Sequence, residues 1–133
     1  MAAILIVEDE WVIAVTYELA LSTAGHEVTA AADGREALTQ AAQRRFDLVV
    51  ADYMMPRMDG LTFLRELRRV DGYAETPAIL ATAIPRTSLP QPDAGLFHRV
   101  LAKPFRDETL VSAVADLLRG AKGQPGSSGS STS

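Results

Sequence analysis

Cysteine is absent from these 133 residues, which excludes disulfides and thiolate metal sites and fits a reducing compartment. Lysine is nearly absent: arginine supplies the basic side chains apart from Lys103 and Lys122, so Lys103 is the only lysine ahead of a Gly/Ser-rich tail. Histidine is limited to His26 and His98, which excludes a histidine-rich transition-metal centre. No apolar run is long enough to cross a bilayer. The opening MAAILIVEDE has no basic region and meets Glu8 and Asp9 after a very short apolar stretch, so no secretory signal is expected. No basic stripe is present either, and a formal charge of -4 with a pI near 5.1 argues against nucleic acid as a partner, because phosphate binding relies on clustered Lys and Arg. A cytoplasmic location with no membrane contact follows as the expectation.

What is present is the composition of a globular domain, with 47% apolar and 23% charged residues. Residues 3 to 8 (AILIVE), 46 to 51 (FDLVVA), 77 to 82 (PAILAT) and, more weakly, 99 to 102 (RVLA) are short runs rich in Ile, Leu and Val that read as buried strands, with HEVTAA at 26 to 31 as a fifth. Helical spacing separates them. Ile13, Tyr17, Ala20, Leu21 and Ala24 share one face, as do Leu110, Ala113, Val114, Leu117 and Leu118. Gly25 is placed to end the first helix, Asp33-Gly34 precedes a helix at about 35 to 44, and Asp59 can cap one from Gly60 to Val70. The stretch PRTSLPQPDAG carries Pro85, Pro90 and Pro92, so a short or broken helix is expected between the fourth and fifth strands. Residues 1 to 119 form the expected domain, and residues 120 to 133 read as a flexible tail or a cloning remnant.

Strands alternating with helices give an α/β fold, a (βα)5 repeat on a doubly wound parallel sheet covered on both faces. Ligands of such folds bind beyond the carboxyl ends of the strands. That edge receives Glu8 and Asp9 from the first strand, Asp52 from the third, Thr82 from the fourth and Lys103 from the fifth. Two carboxylates 4 Å apart repel by about 4 kcal/mol at an effective dielectric of about 20, so three of them call for a cation or raised pKa values. Magnesium suits an all-oxygen ligand set that retains waters. Thr82 and Lys103 add a hydroxyl donor and a compact positive charge, which an enclosed phosphoryl group requires. Singly each is weak: a strand-end Asp usually caps the next helix, a strand Thr usually reflects propensity, and a lone Lys is usually solvated. Their coincidence at one edge carries the argument. His26 and His98 fall at the opposite edge and read as ordinary surface residues.

With LIVEDE at 5 to 10, DLVVADYMMPRMDG at 47 to 60, ATA at 81 to 83 and KPF at 103 to 105, the chain resembles the receiver domain of bacterial two-component response regulators over roughly residues 1 to 119. The resemblance implies a flavodoxin-like sheet in the order 2-1-3-4-5. It implies that Asp52 takes a phosphoryl group from the phosphohistidine of a histidine kinase or histidine phosphotransfer protein. It further implies that Asp9, Asp52 and the backbone carbonyl of Met54 hold Mg2+ with Glu8 assisting, that Thr82 and Lys103 grip phosphoryl oxygens, and that the Lys103-Pro104 peptide is cis. The chain is then a phosphoacceptor in signal transduction that assists its own phosphorylation and slow dephosphorylation, rather than an enzyme acting on others. Its output is expected through an unidentified downstream protein, as a monomer or weak dimer carrying no separate output domain. The alternatives are a receiver cut from a hybrid kinase or larger regulator, with the tail marking the cut, and a non-phosphorylated adaptor, against which the intact acceptor set speaks. A haloacid-dehalogenase-type phosphatase would need a second acid where Met54 stands, and a nucleotide-binding domain would need glycines that VEDEWV lacks.

The chain departs from that family where many members carry an aromatic three residues before the lysine, because Val100 stands there. A rotating ring in the fifth strand therefore cannot carry the output, and ordering of residues 84 to 95 is the expected substitute. Phe97 reads as a core or loop residue. Met54 and Ile84 occupy the two positions that influence water attack on the acyl phosphate, and both are apolar, so self-dephosphorylation is expected to be slow. Trp11, Val15 and Leu19 form a second apolar stripe on the first helix. It packs against the last helix, or it docks the helical bundle that presents the phosphohistidine.

Overall fold

Each apolar run becomes a strand. The computed structural model describes residues 2–89 and 95–122, apart from the side chains of residues 86, 121 and 122. The strands are β1 (Ala3–Val7), β2 (Glu27–Ala31), β3 (Leu48–Asp52), β4 (Ala78–Thr82) and β5 (Arg99–Ala102). All pair in parallel, in the order β2-β1-β3-β4-β5. β3 and β4 are buried at every position while β5 is half-covered at the sheet edge, which explains why RVLA is the weakest of the runs.

The helices are α1 (Trp11–Thr23), α2 (Gly34–Gln43), α3 (Gly60–Arg68) and α4 (Asp107–Lys122). Because alternate strand residues face opposite sides, Leu5, Val7, Val49 and Ala51 pack with Ala37, Leu64 and Leu67 on one side of the sheet. Ile4, Ile6, Leu48 and Val50 pack with Tyr17, Leu21, Leu110 and Val114 on the other. Burying an Ile or Leu completely contributes about 1.5–3 kcal/mol, and many of these side chains are fully buried.

The helix ends follow the sequence signals. Asp33 Oδ1 accepts from the Glu36 N–H at 2.8 Å while Glu36 Oε1 accepts from the Ala32 N–H at 3.0 Å, a reciprocal start to α2. Asp59 Oδ1 accepts from the Thr62 N–H at 2.8 Å and starts α3. Gly25, at φ 99°, ends α1: its N–H donates to Ser22 and that of His26 to Leu21, which satisfies two terminal carbonyls.

Four findings differ from the sequence reading or refine it. Between β4 and β5 the described residues hold one 3-10 turn, Arg86–Ser88, in place of a fifth α-helix. Pro90 and Pro92, with residues 91, 93 and 94 of the 84 to 95 segment expected to order, lie outside the described residues. α4 runs past residue 119 to Lys122, and the rest of the tail also lies outside the described residues. The α1 stripe does not pack on the last helix: Trp11, Val15 and Leu19 are 76%, 41% and 66% exposed, and Val12 joins them at 68%. The turn of the helix that carries Tyr17 and Leu21 meets α4 instead.

The histidines, finally, are strand clasps rather than plain surface groups. His26 Nδ1 accepts from the Ala2 N–H at 3.3 Å and His98 Nδ1 from the Ala78 N–H at 3.1 Å. On the same side of the molecule the Arg68 guanidinium donates to the carbonyls of Tyr73, Thr76 and Leu96 at 2.8, 2.7 and 2.9 Å, joining the end of α3 to both loops that flank β4. Among the described residues no helix is long and apolar enough to cross a membrane.

Candidate functional site

Parallel pairing delivers the carboxyl ends of all the strands to one edge. Asp52 pairs with Ala81 and Thr82 with Ala102, so the acid ending β3, the threonine ending β4 and the lysine following β5 become neighbours through register alone. Glu8 follows β1, and its backbone N–H donates to Ala31 at 3.1 Å.

Glu8, Asp9 and Asp52 each offer a carboxylate oxygen within 4.8 Å of the others. Glu8 and Asp52 are buried, and Asp9 is exposed beside them. The ammonium of Lys103 stands between the two buried acids, with Nζ 2.7 Å from Asp52 Oδ1 and 3.3 Å from Glu8 Oε1. The second oxygen of Glu8 accepts from the Glu10 N–H at 3.1 Å. Thr82 is 1% exposed, and its hydroxyl oxygen accepts from the Ile84 N–H at 3.0 Å, which leaves its hydrogen to donate. The backbone N–H of Lys103 donates to the Thr82 carbonyl at 2.9 Å, and the Lys103-Pro104 peptide is cis. Met54 lies two residues beyond Asp52 with its side chain 62% exposed.

Burial governs the electrostatics. It raises the pKa of Asp52 against the hydrogen bond and charge of Lys103, and the charges of Asp9 and Glu10 push the same way as burial. Burial likewise raises Glu8, opposed first by the hydrogen bond from the Glu10 N–H and reinforced by the charge of Asp52. Burial alone would lower Lys103, yet its hydrogen bond with Asp52 and the charges of Asp52 and Glu8 outweigh that and raise it. One cation thus faces three acids, an oxygen-rich and under-neutralised cluster of the kind that takes a hard divalent metal.

The site rests on residues that the sequence pattern did not single out. Gly60 is one: a Cβ there would stand 2.5 Å from the Asp52 carbonyl oxygen and 2.9 Å from Leu80 Cδ1, so only glycine lets α3 start against the end of β3. Its place beside the Asp59 cap was the available signal. Glu10 is another, since its backbone holds Glu8. A third is the pair Tyr17 and Phe105, whose rings stack at 5.3 Å with 20° between planes. Tyr17 read only as a core position, and nothing in the pattern paired it with a residue so distant in the chain. Val100 is half-buried and packs into the core, as does Phe97.

Comparison with known proteins gives the same arrangement a context. A family model described as "Response regulator receiver domain" matches residues 4–115. The chain is 41% identical over 119 residues to the uncharacterized transcriptional regulatory protein YkoG of Bacillus subtilis, covering 87% of this chain and 50% of that protein, so it spans about half of that relative's length. Among solved structures, the chemotaxis protein CheY4 of Vibrio cholerae superposes with a TM-score of 0.83 at 36% identity, covering 88% of this chain and 98% of that one. The receiver domain of the sensor histidine kinase PA1611 of Pseudomonas aeruginosa, solved with a magnesium ion coordinated in its active-site cleft, superposes with a TM-score of 0.80 at 30% identity, covering 88% and 97%.

Proposed function

The chain belongs to the response regulator receiver family, and on that footing we propose that it relays a signal by accepting on Asp52 a phosphoryl group from the phosphohistidine of a histidine kinase or histidine phosphotransfer protein. The observation that carries this is the Lys103 ammonium held between buried Asp52 and Glu8, with the Thr82 hydroxyl on the neighbouring strand.

The donor set fits magnesium: its atoms are oxygens, two of the acids are buried, and one ammonium cannot balance three carboxylates. Glu8, Asp9, Asp52 and the Met54 carbonyl would hold the ion, which when bound supplies neutralisation of charge on the phosphoryl oxygens. The chain's own residues do the rest. Asp52, kept ionised by Lys103 against the effect of burial, attacks phosphorus with a carboxylate oxygen. The O–P bond forms as the P–N bond to the donor imidazole breaks, and the bonding pair returns to the ring nitrogen. Lys103 transfers its hydrogen bond from Asp52 to a phosphoryl oxygen, and the Thr82 hydroxyl donates to another. No proton has to move on Asp52.

Water ends the signal by attacking the acyl phosphate. Met54, two residues after Asp52, and Ile84, two after Thr82, carry no group able to orient that water, so the phosphorylated state is long-lived. Polar residues at these two positions should shorten it, and an unchanged lifetime would remove this part of the reading. Output does not pass through a ring at Val100, and a downstream protein reads the phosphorylated domain in the cytoplasm. The exposed Trp11, Val12, Val15 and Leu19 on the helix that starts beside Asp9 serve as the docking strip for the phosphoryl donor.

The test is acetyl phosphate with magnesium followed by intact mass. One added phosphoryl group on the wild type and none on Asp52→Asn is the expected result. An unlabelled wild type, or equal labelling of the variant, would overturn the assignment.

A further inference from the structure

Lys103 is anchored at two points, its backbone N–H on the Thr82 carbonyl and its Nζ on Glu8 and Asp52. The chain then turns through Pro104, Phe105 and Arg106 before α4 begins. The Arg106 carbonyl accepts from the Thr109 and Leu110 N–H groups at 3.0 and 3.2 Å, which seats the far end of the turn on α4, and Phe105 packs between the two anchored ends. The packing partner is Tyr17 of α1, 7% exposed and stacked on Phe105. The same tyrosine sits within electrostatic reach of the site. Burial raises its pKa to about 12, Lys103 works against that rise, and Glu8, Asp52 and Glu10 add to it. The phenol therefore stays protonated and neutral beside the charged cluster.

A lysine side chain has a long flexible stem, and its ammonium is placed only as well as its backbone is. Here the backbone after Lys103 is braced by one ring against another. We propose that Tyr17 is a positioning residue for phosphoryl transfer: by stacking on Phe105 it fixes the turn that follows Lys103, and so fixes where the ammonium stands relative to Asp52. This rests on the reading of Asp52 as the phosphoacceptor. A leucine at position 17 would still fill apolar space but would offer no ring face, whereas a phenylalanine would keep the stack and lose only the hydroxyl.

The experiment compares wild type, Tyr17→Leu, Tyr17→Phe and Phe105→Leu in three measurements: thermal midpoint, the rate of Asp52 labelling by acetyl phosphate, and the Lys103 side-chain ammonium resonance by NMR. Misplacement of a catalytic group by an ångström can cost about a hundredfold, and a partly displaced flexible lysine is expected to cost about tenfold. Labelling of Tyr17→Leu and Phe105→Leu should therefore slow by about tenfold with the Lys103 resonance moved, while Tyr17→Phe stays within about twofold of wild type on both. Wild-type labelling and an unmoved resonance in folded Tyr17→Leu would overturn the proposal, and Phe105→Leu decides the matter in the same way should Tyr17→Leu not fold. Slowed labelling with an unmoved Lys103 resonance would also overturn it, because the loss would then come from stability alone. The resonance needs no phosphorylation, so it judges Tyr17 even if the wild type is not labelled, and that failure would fall on the phosphoacceptor reading only.

Discussion

Replacing Lys103 with methionine keeps a side chain of similar length and deletes its charge, which leaves Glu8, Asp9 and Asp52 facing one another without a cation. At an effective dielectric of about 20, the contact at 2.7 Å is worth about 6 kcal/mol and that at 3.3 Å about 5 kcal/mol. Carboxylate oxygens within 4.8 Å of one another repel by at least about 3.5 kcal/mol per pair on the same scale, and the two attractions of the lysine oppose these three repulsions. These gross terms bound the loss without equalling it, because desolvation of the ammonium is recovered and the acids can take up protons. Removing one partner of a buried pair costs about 3–5 kcal/mol, and with the Lys103 side chain still 21% exposed the expected loss is at the low end, about 3 kcal/mol at neutral pH without magnesium. The sign of the pH dependence follows from burial, which raises both Glu8 and Asp52 above their ordinary values of 4.5 and 3.8. Lys103 lowers both, so its loss raises them further; the variant then takes up more protons on folding than the wild type in the window above those values, and the penalty shrinks as pH falls into it. Urea denaturation of wild type and Lys103→Met at neutral and mildly acidic pH, each with and without magnesium, measures this. The variant should recover most of the loss in acid or on adding magnesium. An equal loss under all four conditions, or none at neutral pH, would refute the electrostatic account of the site.

Three further outcomes follow from other contacts. Burial, then the charge of Arg68, lowers His98 below 6.5, so the folded state binds fewer protons than the unfolded one and stability should fall as pH drops below that value; His98→Gln should flatten the slope in pH-resolved denaturation, leaving the share that burial of His26 contributes. Trp11→Ala removes a ring that is 76% exposed and should change stability by no more than about 0.5 kcal/mol in urea, while slowing transfer from a phosphohistidine donor. Gly60→Ala would force a Cβ to within 2.5 Å of the Asp52 carbonyl oxygen and should destabilise by about 1–3 kcal/mol, read by the same denaturation, with slower labelling of Asp52.

How far the sequence revealed this molecule depended on which forces leave a local trace. Strands buried on both faces need continuous apolar runs, so β1, β3 and β4 were legible to within two residues, while β5 at the sheet edge gave a fainter signal. Asp52, Thr82 and Lys103 could be placed at one edge because parallel topology sends every carboxyl end there. Contacts between distant segments left no such trace. The second stripe of α1 could be read as a packing face or as a docking face, because apolar spacing cannot say whether a second face is covered. Nor could periodicity pair Tyr17 with Phe105, give His98 the Ala78 N–H, or send the Arg68 guanidinium to three carbonyls. These side chains act across the fold, and only the assembled structure brings their partners within reach.

The Arg68 clasp has a use for protein engineering. One guanidinium holds the Leu96 carbonyl to the loop that enters β4, and at the other end the Thr82 hydroxyl holds the Ile84 N–H. The connection from β4 to β5 is thus fastened at both roots, which separates its length from the spacing of Thr82 and Lys103. A designer who alters this connection should therefore keep Arg68 and Thr82, because they hold the ends that carry Leu96 and Ile84.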